Sequence, residues 1–199
     1  MQNTSDEQVI SDESDTDEWA PSDHTNIDGT HIHINGTTMC TCDEYPDLYA
    51  EMEVLISGHL ELDCELDSAG YGNPDWNESI VRANSYYYLL TEKNSLSEVR
   101  EDLAQVYTDD YIDSKLAPHI FNLPSPKLWE EDGKLYGVNA DGVSQGLEED
   151  WTIFKVTDTR YYVQAYKDLS LVGGDTLSIF TVLRTDEGLR ISDLIEINF

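Results

Sequence analysis

Four of the soft or borderline metal donors of this chain fall close together: His31, His33, Cys40 and Cys42. Between the two pairs lies Asn35-Gly36, the dipeptide that best supplies the positive φ angles of a type I′ turn. The spacing therefore predicts a β-hairpin in which Ile34 faces Thr37, Ile32 faces Met39 and His31 faces Cys40. One face of that hairpin is apolar, and the other gathers the four donors in a set that could hold zinc tetrahedrally. The spacing is not that of a known zinc finger, and His-x-His and Cys-x-Cys also arise from plain strand alternation. No metal is assigned. Cys64 makes the cysteine count odd, so a disulfide from Cys64 to Cys40 or Cys42 is a competing use that leaves one thiol free.

Other chemistry is hard to locate. The chain has no G-x-S-x-G elbow, no phosphate-binding glycine loop, no H-E-x-x-H and no dinucleotide fingerprint. Carboxylates are abundant, yet a general acid or base needs one of them desolvated beside a substrate, and nothing marks which. The cluster Glu148-Glu149-Asp150 could take calcium but lacks the alternating ligands and central glycine of an EF-hand loop. His59 falls on the apolar stripe of a helix with no nucleophile or acid beside it, which reads as a packing histidine rather than a proton carrier. No catalytic residue and no cofactor are assigned, and the expectation is a protein that is not an enzyme.

The elements that would position these residues are more legible. The first basic residue is Arg82, so residues 1–81 carry 20 acids and no base, against 21 acids and 11 bases in residues 82–199. Residues 1–28 are too poor in apolar groups to offset the entropy of ordering and read as a disordered acidic tail or tether. Residues 29–78 read as the hairpin plus a helix, the N-terminal part of a domain. That helix begins at Pro46, where Leu48, Met52, Leu55, Ile56 and His59 form an amphipathic stripe. Leu60 to Asp67 alternates apolar with acidic residues and reads either as a half-buried strand or as more of the helix. Ser68 to Asn77 reads as a loop.

Residues 79–199 read as the main domain. A helix is expected from Ser79 to Leu90, with Ile80, Ala83, Tyr87 and Leu90 on one face. Ser95 and Glu98 match a capping box, and Thr108 with Asp109 and Asp110 marks another helix start. That helix should stop before Pro118. Beyond Pro126 the period changes to two: Lys127–Glu131 and Lys134–Val138 flank Asp132-Gly133, which predicts a hairpin with Glu131 against Lys134 and Trp129 against Tyr136. Further strands are expected at Trp151–Thr157, Arg160–Lys167, Leu177–Arg184 and Leu189–Phe199. Helices first and antiparallel strands afterwards define an α+β class, with N-terminal helices packed on one face of a curved antiparallel sheet, cystatin-like or NTF2-like.

The formal charge of −30 disfavours nucleic acid and anionic lipid as partners, and no run is apolar for long enough to span a membrane. From about Tyr86 onward the signals resemble the IseA family, bacterial inhibitors of cell-separation DL-endopeptidases. The resemblance rests on Tyr87-Tyr88-Leu89, the helix Leu96 to Tyr107 running into Thr108-Asp109-Asp110-Tyr111, and Gly133-Lys134-Leu135-Tyr136-Gly137-Val138-Asn139-Ala140-Asp141-Gly142. It covers about 115 residues up to the C-terminus and does not reach the His/Cys hairpin. It implies a non-enzymatic extracellular domain, tethered to the cell surface through a trimmed N-terminal signal, that inhibits NlpC-type peptidoglycan endopeptidases by docking on them. A −30 surface would be steered toward a basic catalytic cleft. The partner-binding residues are placed on the loop Asn139, Asp141, Gly142 and Val143, whose residue types permit a projecting turn, although a plain connector reads equally well there. The alternative is an NTF2-like small-molecule binder or enzyme, with a pocket lined by Tyr161 to Tyr166 and His119.

Overall fold

The chain organises its described residues into two antiparallel sheets that share one core, with a third, two-stranded pairing near the N-terminus. The computed structural model describes residues 24–26, 32–34, 36–67, 71–122, 124, 126–138, 151–167 and 176–198. The elements run β1 (His24–Asn26), β2 (Ile32–Ile34), β3 (Thr38–Cys40), α1 (Pro46–Asp67), β4 (Pro74–Arg82), β5 (Ser85–Leu90) and α2 (Leu96–Ala104). After α3 (Asp109–Tyr111) comes a π turn (Ile112–Leu116) and then α4 (Ala117–Ile120). The remaining strands are β6 (Leu128–Glu131), β7 (Lys134–Val138), β8 (Trp151–Lys155), β9 (Arg160–Lys167), β10 (Thr176–Thr185) and β11 (Gly188–Asn198).

The five-stranded sheet has the order β11-β10-β9-β8-β3 and the four-stranded sheet β4-β5-β7-β6. The α+β class holds, but the single curved sheet of a cystatin-like or NTF2-like domain does not form. The reason lies in Ser79–Leu90, expected as a helix and found as the β4–β5 hairpin. Its Ile, Val and Tyr residues favour a pleated surface, and Ala83 and Asn84 both take positive φ, 48° and 65°, as a type I′ connection requires. Tyr87 lies opposite Ile80, not two helical turns beyond it. This hairpin joins the Asp132-Gly133 hairpin through β5 and β7, and the two form a second, open sheet.

The Asp132-Gly133 hairpin forms in the expected register, Glu131 with Lys134 and Trp129 with Tyr136. The Asn35-Gly36 hairpin does not. Gly36 keeps its positive φ of 80°, but β2 pairs with β1 and β3 pairs with β8, placing Met39 opposite Phe154 and Cys40 opposite Ile153. Burial explains the exchange: beside the fully buried Ile153, Cys40 enters the core, which a two-stranded ribbon could not have offered. His24–Asn26, inside the stretch read as a tail, is the strand that takes the place of β3 beside β2.

Helix α1 resolves the ambiguity at Leu60–Asp67 in favour of helix. Its stripe Leu48, Met52, Leu55, Ile56 and His59 is buried as expected, against β-sheet residues that include Val163, Phe180 and Ile191. Leu90 of β5, Leu128 of β6 and Leu135 of β7 enter the same core from the four-stranded sheet, with Val99 and Leu103 of α2. Ser95 caps α2 as predicted: Glu98 N donates to its Oγ at 3.3 Å, while the Glu98 carboxylate accepts from Asn94 N. Thr108 caps α3 in the same way. The chain then continues past Pro118 instead of stopping, because the π turn widens the backbone just before it and Pro118 sits in the first turn of α4, where a missing N–H is tolerated.

Candidate protein-docking surface

Among the exposed large apolar side chains of the described residues, three lie on the β4–β5 hairpin: Trp76, Val81 and Tyr86, at 53%, 53% and 62% exposure. Strand pairing shows that they belong together. Val81 and Tyr86 are direct cross-strand partners, and Ser79 faces Tyr88 two residues along on the same side. The Trp76 ring meets the Tyr88 ring edge-on, with centroids 4.9 Å apart. Trp76 is brought there by a bulge: β5 steps from Leu89 to Tyr88 while β4 steps from Asp75 to Ser79, which throws Trp76, Asn77 and Glu78 out of the ladder. The Asp75 carboxylate holds the bulge by accepting from Asn77 N at 2.9 Å and from its side-chain amide at 3.0 Å.

This aromatic face runs into a groove lined by Leu66 and Glu65 of α1, by Tyr71 and Pro74, and by Lys127, Leu128 and Val138. Gly137 keeps the floor low, since a Cβ there would come within 3.1 Å of Leu90. Next to it lies a second, wider cleft, where Glu61, Glu65, Glu92 and Asp102 converge. Lys93 ion-pairs with Asp102 at 2.5 Å, and Asp102 also accepts from the Tyr71 hydroxyl at 2.8 Å. The remaining carboxylates stand close enough to be felt: burial first, then Glu61, Asp102 and Glu92, push the Glu65 carboxyl above the usual range.

The opposite face of the same sheet is occupied by its own network. Arg82 holds Glu131 through two guanidinium nitrogens, and the Trp129 indole N–H donates to Glu131 at 3.2 Å. These bonds, the Arg82 bond foremost, draw the Glu131 carboxyl below its ordinary range. Tyr87 packs on Trp129, and its hydroxyl donates to the Pro126 carbonyl.

The residues singled out by spacing fare differently. The loop Asn139, Asp141, Gly142 and Val143 lies outside the described residues, as do Glu148, Glu149 and Asp150. Of the proposed donor set, His31 is outside as well, while His33 stands opposite Thr25 in the β1–β2 pair and Cys40 stands in the five-stranded sheet. Cys40 is buried, Cys42 exposed and Cys64 half-buried, and all three are free thiols, so the Cys64 disulfide is not present. Burial pushes the Cys40 thiol up, away from the thiolate that metals and electrophiles need. His59 is a packing histidine: it is buried, its Nδ1 lies 2.7 Å from the Tyr107 hydroxyl, and its ring meets the edge of Phe180.

Of the strand expected to line a pocket, Tyr161 to Ala165 are buried, and Tyr161 also borders a surface cleft with Tyr45, Lys155 and Arg184. Tyr161, Val163 and Ala165 are buried against the helices, and Tyr162 packs with Phe154, Leu177 and Ile179 on the other face. His119 is exposed at the end of α4. Trp76, Val81 and Tyr86 do not form a group on the expected elements, because Trp76 falls in the expected loop and a helix over Ser79–Leu90 scatters the other two. The signal available for them was Ala83-Asn84 between two runs rich in β-branched and aromatic residues.

The fold and this surface define an acidic α+β domain with two antiparallel sheets and one exposed aromatic hairpin. No family model matches the chain, and neither does any curated protein or solved structure.

Proposed function

We propose that the chain is a non-enzymatic extracellular protein-binding domain whose partner is a basic protein. The observation that carries this reading is electrostatic. Of 11 basic side chains, Arg82, Lys93, Arg100, Lys134, Lys155, Arg184 and Arg190 each stand in an ion pair with a carboxylate of this same chain. Cations are thereby committed locally, and the large surplus of carboxylates sets the sign of the field that an approaching molecule meets. Such a field accelerates association with a positively charged cleft and suppresses association with anionic surfaces.

The resemblance to IseA-type inhibitors supplies the partner to try first, an NlpC-type peptidase that cuts peptidoglycan stem peptides. The test is wall hydrolysis by purified peptidases of that type, with and without this protein, across a salt series. The expected outcome is inhibition at low salt that weakens as salt screens the attraction over about a Debye length, ~10 Å at 0.1 M. Hydrolysis that proceeds unchanged at every salt concentration rejects the peptidase as partner.

A further inference from the structure

We infer that the exposed aromatic face of the β4–β5 hairpin is the docking site for an extended segment of a partner protein in which Lys or Arg alternates with apolar side chains. The inference rests on the protein-binding reading above and adds to it a place and a ligand chemistry.

Three observations converge on it. Trp76, Tyr88, Tyr86 and Val81 form one apolar strip, with three of the four members more than half exposed. Burying large apolar groups of this kind is the main source of binding free energy in protein interfaces, and Trp and Tyr are its commonest anchors. Next, β4 is the terminal strand of its sheet among the described residues. The bulge guards its first half, but Ser79–Arg82 pairs with β5 in regular register and shows exposed Ser79 and Val81. The Val81 carbonyl on this edge accepts from Arg82 Nη1 at 2.7 Å; the exposed edge otherwise offers ladder positions to an extended segment, whose side chains then alternate in and out of contact.

Finally, the strip is bordered by negative charge. Glu65, Glu61 and Glu92 lie along the adjoining groove and cleft, and Asp75 stands at the root of the bulge. Lys127 lines the groove on the β6 side, Lys93 is tied to Asp102, and Glu78 is tied to Lys134. The balance at the strip remains acidic, and the faces of Trp and Tyr themselves attract cations. The same charges argue against a second copy of this chain, which would bring its own Glu65, Glu92 and Asp75 against theirs at a formal −30 per molecule.

The experiment titrates the full chain with a short end-blocked peptide of alternating lysine and valine and follows backbone and indole amide resonances by NMR. Controls are the same peptide with glutamate for lysine, a lysine homopolymer, and vesicles of zwitterionic lipid. The expected result is binding of the lysine–valine peptide alone, weakened by salt, with shifts concentrated at Trp76, Val81, Tyr86 and Tyr88. Trp76→Ser with Tyr86→Ser should weaken it about tenfold or more, as loss of interface anchors does. Tyr86→Ser alone, at the most exposed of the four positions, serves if the double variant melts early.

Shifts centred elsewhere, equal affinity in the variants, equal binding of the homopolymer, or tighter binding of the vesicles would each overturn the inference. So would a concentration-dependent dimer that the double variant abolishes. Peptidase inhibition by both proteins separates this inference from the reading it rests on. Full inhibition by the double variant removes this surface and leaves the inhibitor reading. Hairpin-centred peptide binding with no inhibition by the parent protein removes the peptidase and leaves the surface.

Discussion

His59 is a polar residue on an apolar stripe, and its surroundings determine what it can do. The Tyr107 hydroxyl meets Nδ1 at 2.7 Å inside the core, and burial raises the Tyr107 phenol well above its ordinary acidity range. The Tyr107 hydroxyl therefore stays protonated and bonded to the buried imidazole, an arrangement that suits packing. Tyr107→Phe deletes the hydroxyl without changing the ring. Because a buried polar atom then loses a partner, the variant should unfold at lower denaturant, by about 1–3 kcal/mol, with an unchanged slope. Chemical denaturation of the two proteins measures this directly. A comparable long-range contact is Arg190, whose Nε donates to the Ala104 carbonyl at 2.7 Å and so caps the end of α2 from β11. No local signal announces it.

At the scale of elements, the two type I′ turns make an instructive pair. Asp132 and Gly133 take φ of 53° and 71°, and the glycine pays no penalty for that conformation. Ala83 and Asn84 take φ of 48° and 65°, and for alanine the left-handed region is costly. Replacing Ala83-Asn84 by Asn-Gly should therefore stabilise the hairpin and the protein by about 1 kcal/mol, read as a higher melting temperature with the same secondary structure content. A helix over Ser79–Leu90 would respond in the opposite way, since Gly and Asn weaken helices. The sign of the change thus tests the element as well as the turn.

For the whole molecule, charge dominates and makes stability depend on pH in two opposing ways. Glu65 has its carboxyl raised above the ordinary 4.5 by burial and by neighbouring acids. The fold therefore favours its neutral form, and stability rises as pH falls through that raised value. Glu131, Asp113 and Asp158 are lowered from 4.5, 3.8 and 3.8 by Arg82, Arg100 and Lys155. Their contribution is present above those ordinary values and is lost as pH falls through the lowered ones. Melting temperature should pass through a maximum in mild acid and then decline. Glu65→Gln should flatten the rise on the neutral side and leave the acid decline in place. Added salt at neutral pH should raise the melting temperature by screening the repulsion among carboxylates.

Signals confined to a few neighbouring residues were legible in the sequence itself. Ser95 with Glu98, Thr108 with two acids, and Asp132-Gly133 between alternating strands each state a local hydrogen-bond or dihedral requirement that the rest of this fold satisfies. The α1 stripe and the C-terminal strands were legible for the same reason, since helical and strand periodicity is written along the chain. The chain's negative charge, too, is a property of composition alone. What only the tertiary structure decided is which strands meet. Asn35-Gly36 favours a turn, yet β3 leaves β2 because β8 offers Cys40 a buried place beside Ile153. Ser79–Leu90 fits a helical stripe as well as a hairpin until β7 pairs with β5 and the second sheet becomes possible. The aromatic docking face depends on that outcome: Trp76, Val81 and Tyr86 become neighbours through a bulge and a cross-strand register, and pairing between strands is settled by burial summed over the whole core rather than by any short run of residues.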